Sequence, residues 1–169
     1  LVEDIIRLSQ LDEQTELPKE NVSLFEIANE ACGILRDSAN KKDISLKVTG
    51  DNGNVLGVKH LLFEVIYNLC DNAVKYTPDG GKVKVDISEA ENDVTLTVSD
   101  NGIGIAPEHH ARIFERFYRV DKSHSKKSGG TGLGLSIVKH AVSYHNGKIS
   151  VQSEENKGTA VTVILPKSE

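Results

Sequence analysis

The sequence predicts an α/β fold: a two-layer sandwich in which a mixed sheet of about five strands is covered on one face by three helices. Three observations lead there. Some segments repeat apolar residues every three to four positions. Others alternate apolar with polar residues over short stretches, and the two kinds are interspersed with turn residues between them. At 169 residues and 18.4 kDa the chain has the size of one domain with a short appendage.

The elements follow in order. Residues 1–13 read as the end of an amphipathic helix, with Leu1, Ile5 and Leu8 on one side and Glu3, Asp4 and Arg7 on the other. So short a helix is marginal alone, which predicts a partner helix beside it. Residues 14–20, with Pro18, read as a linker to a domain spanning 21–169. Ser23-Leu24-Phe25-Glu26 fits a capping box, opening a helix to about Asn40. Ile44, Leu46 and Val48 alternate as a strand. Val58 to Tyr76 is a strongly periodic helix, stopped by Thr77-Pro78-Asp79-Gly80-Gly81. Lys82 to Ser88 and Val94 to Ser99 predict a hairpin. Gly132 to His145 predicts a third helix, and Gly147 to Ser153 with Thr159 to Leu165 a closing strand pair.

Composition narrows the function. Twenty basic against 25 acidic residues give a net charge of −5, which argues against a generic nucleic-acid-coating surface. No apolar run approaches the ~18 residues of a transmembrane helix. Cys32 and Cys70 lack metal-ligand spacing and lie in apolar helical contexts, so a structural role is expected. The chain starts at Leu1 and contains no methionine, and it reads as a piece of something longer.

Four stretches carry candidate chemistry. At about 100° per residue, Asn68, Asn72 and Lys75 fall within about 60° of one another, beside an apolar seam. Carboxamide oxygens suit a hard cation such as Mg²⁺ and the ammonium suits a phosphate, although a solvated helix face gives the same pattern. Asp100-Asn101-Gly102-Ile103-Gly104-Ile105 puts an acceptor at a strand end beside glycines that let backbone come close, or forms a plain turn. Gly129-Gly130-Thr131-Gly132-Leu133-Gly134-Leu135 runs into a helix start, an anion site by its unsatisfied N–H groups. Its spacing matches neither a dinucleotide fingerprint nor a Walker loop. Between the last two lies a basic stretch, Arg112 to Lys127, with Phe114, Phe117 and Tyr118 as apolar anchors. Basic charge beside a glycine-rich anion site points to a polyphosphate, although a solvated basic loop with locally packed aromatics gives the same pattern. A loop of about 25 residues without regular structure is often functional.

These residues, in this order, resemble the catalytic ATP-binding domain of bacterial sensor histidine kinases. That family shares a superfamily with gyrase, MutL and heat-shock chaperones. Asn68 to Thr77 resembles its N box, Asp100 to Ile105 its first glycine box, Phe114 to Arg119 its F box and Gly130 to Leu135 its second glycine box. Each motif alone is weak; the ordered set is specific. The resemblance implies a Bergerat-type ATP-binding fold with a mobile lid over about 106–130. It implies Asn72, supported by Asn68, as the Mg²⁺ ligand, Lys75 on phosphate and Tyr76 near the adenine. Asp100 would accept from the adenine amino group, Gly102, Gly104 and Ile105 would border the nucleotide, and Arg119 would reach the γ-phosphate. Thr131, Gly132, Leu133, Gly134 and Leu135 would meet the phosphates. Asn68, Asn72 and Arg119 would form the catalytic set.

The resemblance further implies transfer of the γ-phosphate to a histidine on a separate dimerisation domain, and thence to a response-regulator aspartate. Residues 1–13 resemble the end of that domain's second helix. None of the six histidines here stands in an acceptor motif. The parent would be a homodimeric, membrane-anchored bacterial sensor with this domain in the cytoplasm, and this segment itself would touch neither nucleic acid nor membrane. Three other readings compete: an ATPase switch, an anti-sigma-type serine kinase, and a degenerate interaction module. A superfamily ATPase usually carries a glutamate base where Asn68 stands, and asparagine takes no proton at neutral pH. Intact Asn72, Asp100, Arg119 and glycines disfavour the degenerate module.

Overall fold

The computed structural model describes residues 2–12, 16–120 and 132–167. Helix α1 (Val2–Asp12) precedes strand β1 (Glu20–Ser23) and helix α2 (Leu24–Lys41). Strands β2 (Ser45–Gly50) and β3 (Asn54–Gly57) lead into helix α3 (Lys59–Tyr76). Hairpin β4 (Lys82–Glu89) and β5 (Asp93–Asp100) follows. A short 3₁₀ turn at Pro107–His109 comes before α4 (Gly134–Tyr144), and β6 (Lys148–Glu154) and β7 (Gly158–Pro166) close the chain.

Five strands form the main sheet in the order β2-β4-β5-β7-β6. β2 runs parallel to β4 and the other neighbours are antiparallel, so the sheet is mixed, as expected. Alternation sets one face inward. Val48, Val85, Val98, Val161 and Val151 align across all five strands, and Ile87, Leu96, Val163 and Ile149 form the next row. These rows join Ile27, Ala31, Leu62, Ile66, Val138 and Val142 from α2, α3 and α4 in one core.

Local signals account for most boundaries. The Ser23 hydroxyl accepts from the Glu26 N–H at 3.3 Å, capping α2 as the sequence predicts. At the other end of α3, the Lys42 ammonium donates to the carbonyls of Val74 (2.7 Å) and Lys75 (3.1 Å), satisfying end groups of the helix. Two features depart from expectation. β1 and β3 pair as a separate two-stranded sheet, Val22 opposite Val55, where the sequence reading placed no strands. And α4 opens at Gly134, not Gly132.

α3 starts without a side-chain cap, and a distant residue supplies what is missing. The Val58 N–H donates to His145 Nε2 at 2.9 Å, while His145 Nδ1–H donates to the Ala141 carbonyl at 2.7 Å. Those partners require the neutral imidazole. Burial pushes the His145 pKa below its ordinary 6.5, partly offset by the Ala141 bond, with Lys19 nearby adding to the lowering. The unfolded chain therefore takes up a proton that the folded chain resists. The stability owed to neutral His145 is present above pH 6.5 and is lost as pH falls through the depressed value. Urea midpoints should decline as pH falls from about 7.5 toward 5. His145→Gln should flatten that decline whatever its own stability. An unchanged slope would remove His145 from the account.

Candidate functional site

A cavity of about 640 Å³ opens between α3, the ends of β5 and β7, the segment after β5, and the start of α4. α3 contributes Asn68, Asn72, Lys75 and Tyr76 to its wall, so the stripe counted on the sequence faces one space. Asn68 Nδ2 donates to the Glu64 main-chain carbonyl at 2.7 Å and lies 3.4 Å from Glu64 Oε2. Its Oδ1 looks the other way, toward Gly134 at the α4 N-terminus, where a Cβ would sit 3.2 Å from it. Lys75 pairs with Asp71 at 2.9 Å, an acid-before-base spacing of four that suits a helix.

Asp100 owes its place to strand phase. Val94, Leu96 and Val98 of β5 point into the core, and the next residue in phase is Asp100. It stands in a cross-strand row with Val83, Thr159 and Ser153, where the inner face turns from apolar to polar. Its Oδ1 accepts from the N–H groups of Gly102 (2.9 Å) and Thr159 (3.3 Å). Desolvation raises its pKa above the usual 3.8, and those two bonds oppose the rise. With Oδ1 occupied, Oδ2 is left for the cavity that Asp100 lines. Thr159 and Ser153 escaped the motif reading, though extending the β5 alternation by one step would have found their row. Ser153 Oγ accepts from the Ile105 N–H at 2.7 Å and contacts Thr159 Oγ1 at 2.7 Å, tying the segment after β5 to the sheet.

The first glycine box works differently from the expectation that its glycines admit a ligand. Gly102 is buried and off the cavity wall; a Cβ there would drive into the Tyr76 carbonyl oxygen and crowd Thr77 Oγ1 at 3.0 Å. Gly104 lines the cavity, yet its constraint comes from behind. At φ +71° a Cβ would overlap the Glu154 carbonyl. Here glycine serves close backbone-to-backbone contact.

Gly132, Gly134 and Leu135 also line the cavity, and Leu133 buries its side chain against Ile137. Among the described residues no side chain caps the start of α4, and a helix start is a favourable place for an anion. Thr131 and the lid residues 121–130 lie outside the described residues. The described part of the segment expected to form a lid, residues 106–120, is braced. Phe117 N–H donates to the Gly132 carbonyl at 2.9 Å, joining the two sides of the lid's base. His109 Nδ1 meets the Tyr118 hydroxyl, whose ring carries the Arg112 guanidinium 4.5 Å above it. Arg119 follows on the cavity wall. Among the described lining residues, five carboxylates (Asp4, Glu64, Asp71, Asp100, Glu155) face two cations, Lys75 and Arg119.

Residues 57–169 match the family described as histidine kinase-, DNA gyrase B-, and HSP90-like ATPase. The chain belongs to this family. The sensor-like histidine kinase SenX3 of Mycolicibacterium smegmatis is 38% identical over 169 residues, 99% of this chain and 44% of that protein. WalK of Bacillus subtilis, a sensor histidine kinase, is 46% identical over 108 residues, 63% of this chain and 18% of WalK. The structure of full-length ShkA in complex with AMPPNP superposes on 99% of this chain and 35% of its own, with a TM-score of 0.87 at 26% identity. The mycobacterial sensor histidine kinase MprB superposes at 0.77 and 32% identity over 88% of this chain and 97% of its own. The expected sandwich is therefore the fold of histidine-kinase catalytic domains. This chain spans under half the length of the SenX3 relatives it matches. No helix among the described residues is long and apolar enough to cross a membrane.

Proposed function

We propose that this ATPase-family domain binds Mg-ATP in the cavity and delivers its γ-phosphate to a histidine on a dimerisation helix pair, for passage to a response-regulator aspartate. The observation that carries the reading is the two-ended cavity wall. At one end Asp100 lines the wall with Oδ1 held by two N–H groups and Oδ2 left over; at the other, Asn68, Asn72 and the start of α4 bring carboxamides and main-chain amides together. A single carboxylate acceptor suits an exocyclic amine, and amides with carboxamides suit a phosphate–cation pair.

The residues fit a divalent cation. Asn68 Oδ1 and the Asn72 carboxamide are hard oxygen donors of the type Mg²⁺ takes while keeping most of its waters. Among the described lining residues carboxylates outnumber cations, which favours a polyphosphate whose charge is partly offset by a bound cation. When bound, the ion would offset charge on the phosphates. Lys75 would orient a phosphate by exchanging its Asp71 partner, and Arg119 would stabilise the transferring group. α1, with Val2, Ile5 and Ile6 exposed, suits the end of the second dimerisation helix, joined by the linker over 14–20. The parent would then be a homodimeric, membrane-anchored sensor with this domain on the cytoplasmic side.

Transfer depends mainly on positioning, and the acceptor is supplied from outside the catalytic domain. Incubated alone with radiolabelled ATP, the chain is expected to label slowly or not at all. Added to the dimerisation domain of its parent, it should label that domain with an acid-labile phosphoramidate. Arg119→Ala should lower labelling more than ATP binding. Acid-stable labelling of the chain alone would favour a serine kinase. Phosphate release without any labelled protein would favour an ATPase switch.

A further inference from the structure

Glu64 stands one turn before Asn68 and two turns before Asn72 on α3, and all three line the cavity. Residues four apart are neighbours on a helix surface, about 6 Å from one to the next, so the three side chains form a ladder. None of the sequence motifs includes Glu64.

The hydrogen bonds give that rung a purpose. Asn68 directs Nδ2 at two groups of Glu64, the main-chain carbonyl at 2.7 Å and Oε2 at 3.4 Å. Both can only accept. Turning the carboxamide over would set oxygen against oxygen, so Oδ1 is held toward the α4 N-terminus, beside Gly134. The ladder thus offers carboxylate, carboxamide and carboxamide in sequence, its charge at one end. Groups that orient a metal's ligands, or accept from its water shell, commonly govern affinity by 10–100-fold. A strongly hydrated divalent cation meets the protein largely through such contacts.

We propose that Glu64 is the positioning residue of the metal site. Its main-chain carbonyl fixes the Asn68 carboxamide in the ligating orientation whatever the side chain, and its carboxylate adds a negative charge on the cavity wall beside the hydration shell of the nucleotide's divalent cation. The inference rests on the reading that Mg-ATP occupies this cavity. It adds a requirement that reading does not contain: metal affinity should depend on a side chain that touches neither base nor phosphate.

The test uses the whole chain and a hydrolysis-resistant ATP analogue with a β,γ-imido linkage. Calorimetric binding isotherms are recorded at a series of MgCl₂ concentrations and in EDTA, with Mn²⁺ binding followed independently by electron paramagnetic resonance. Glu64→Gln keeps the size and an acceptor oxygen but removes the charge. It should need about tenfold more Mg²⁺ for half-saturation, weaken Mn²⁺ by a similar factor, and leave affinity in EDTA and the melting temperature unchanged. Glu64→Asp should fall between the two. A Glu64→Gln variant with wild-type metal dependence would overturn the proposal, and so would an equal loss of nucleotide affinity with and without metal. Wild-type chain that binds no nucleotide at saturating Mg²⁺ would overturn the nucleotide reading, and this inference with it. Binding with unaltered metal dependence would overturn the role of Glu64 alone.

Discussion

Asp100→Asn is expected to weaken ATP binding by about 100-fold and to narrow or reverse the preference for ATP over GTP. The expectation comes from the two N–H groups that hold Oδ1. In the variant the side-chain oxygen must stay facing Gly102 and Thr159, because the amide nitrogen would bring donor against donor there. The NH₂ then takes the place of Oδ2 and points a donor at the cavity. An adenine amine would meet a donor, and a guanine carbonyl would meet a partner. A buried polar mismatch of this kind costs roughly 3 kcal/mol, hence the hundredfold figure. Asp100→Ala should lose ATP affinity to a similar degree without gaining any for GTP. Calorimetry with both nucleotides decides between these outcomes. Equal affinity of the wild-type chain for ATP and GTP would remove Asp100 from base selection. Protonation bears on the same contact. Because the folded-state pKa of Asp100 is raised, the ionised group costs stability above that value, and the cost is relieved as pH falls through it. This sign is opposite to that of His145.

Gly104→Ala is expected to lower the melting temperature by roughly 10 °C, corresponding to about 3–4 kcal/mol for a domain of this size. Two costs combine there. The residue sits at φ +71°, and a Cβ would overlap the Glu154 carbonyl oxygen, with the carbonyl carbon at 2.6 Å. Neither partner can retreat cheaply. Asn156 N–H donates to the Ile103 carbonyl at 2.7 Å, and Ile105 N–H to Ser153 Oγ at 2.7 Å, on either side of the collision. Gly80→Ala is the matched comparison. It too has positive φ, +81°, but a Cβ there meets nothing within 4 Å. About 1 kcal/mol of backbone cost, or a few degrees, is expected at Gly80. Calorimetric scans in which both variants melt together would show that the crowding against Glu154 is relieved without cost.

Elements with many repeats of their pattern were legible. α2 and α3 run 18 residues each, and β4 and β5 run eight each, so several buried positions in phase outvote any irregular one. β1 and β3 are four residues long and bury Val22 and Val55 at their centres, too few positions to display a period. The opening of α4 escaped for another reason. Gly132 has φ +77°, and its carbonyl accepts from Phe117, so a residue 15 positions away determines where the helix begins.

For the site, it was the family resemblance carried by the ordered motifs that named Asn68, Asn72, Lys75, Asp100 and Arg119 as one constellation. Helix geometry alone put three of them on one stripe, because 3.6 residues per turn is a local property. Which atom of Asp100 faces the cavity was decided by Thr159, 59 residues away, and by the phase of a sheet that exists only when five strands meet. The cap of α3 came from His145, 87 residues away. The reasons for Gly102 and Gly104 were likewise invisible in the chain, since the carbonyls they avoid belong to α3 and β6. Periodicity and turn chemistry act between residues a few positions apart and can be read along the sequence. Burial, hydrogen-bond saturation and close backbone approach depend on which distant segments share a space, and only the folded chain specifies that.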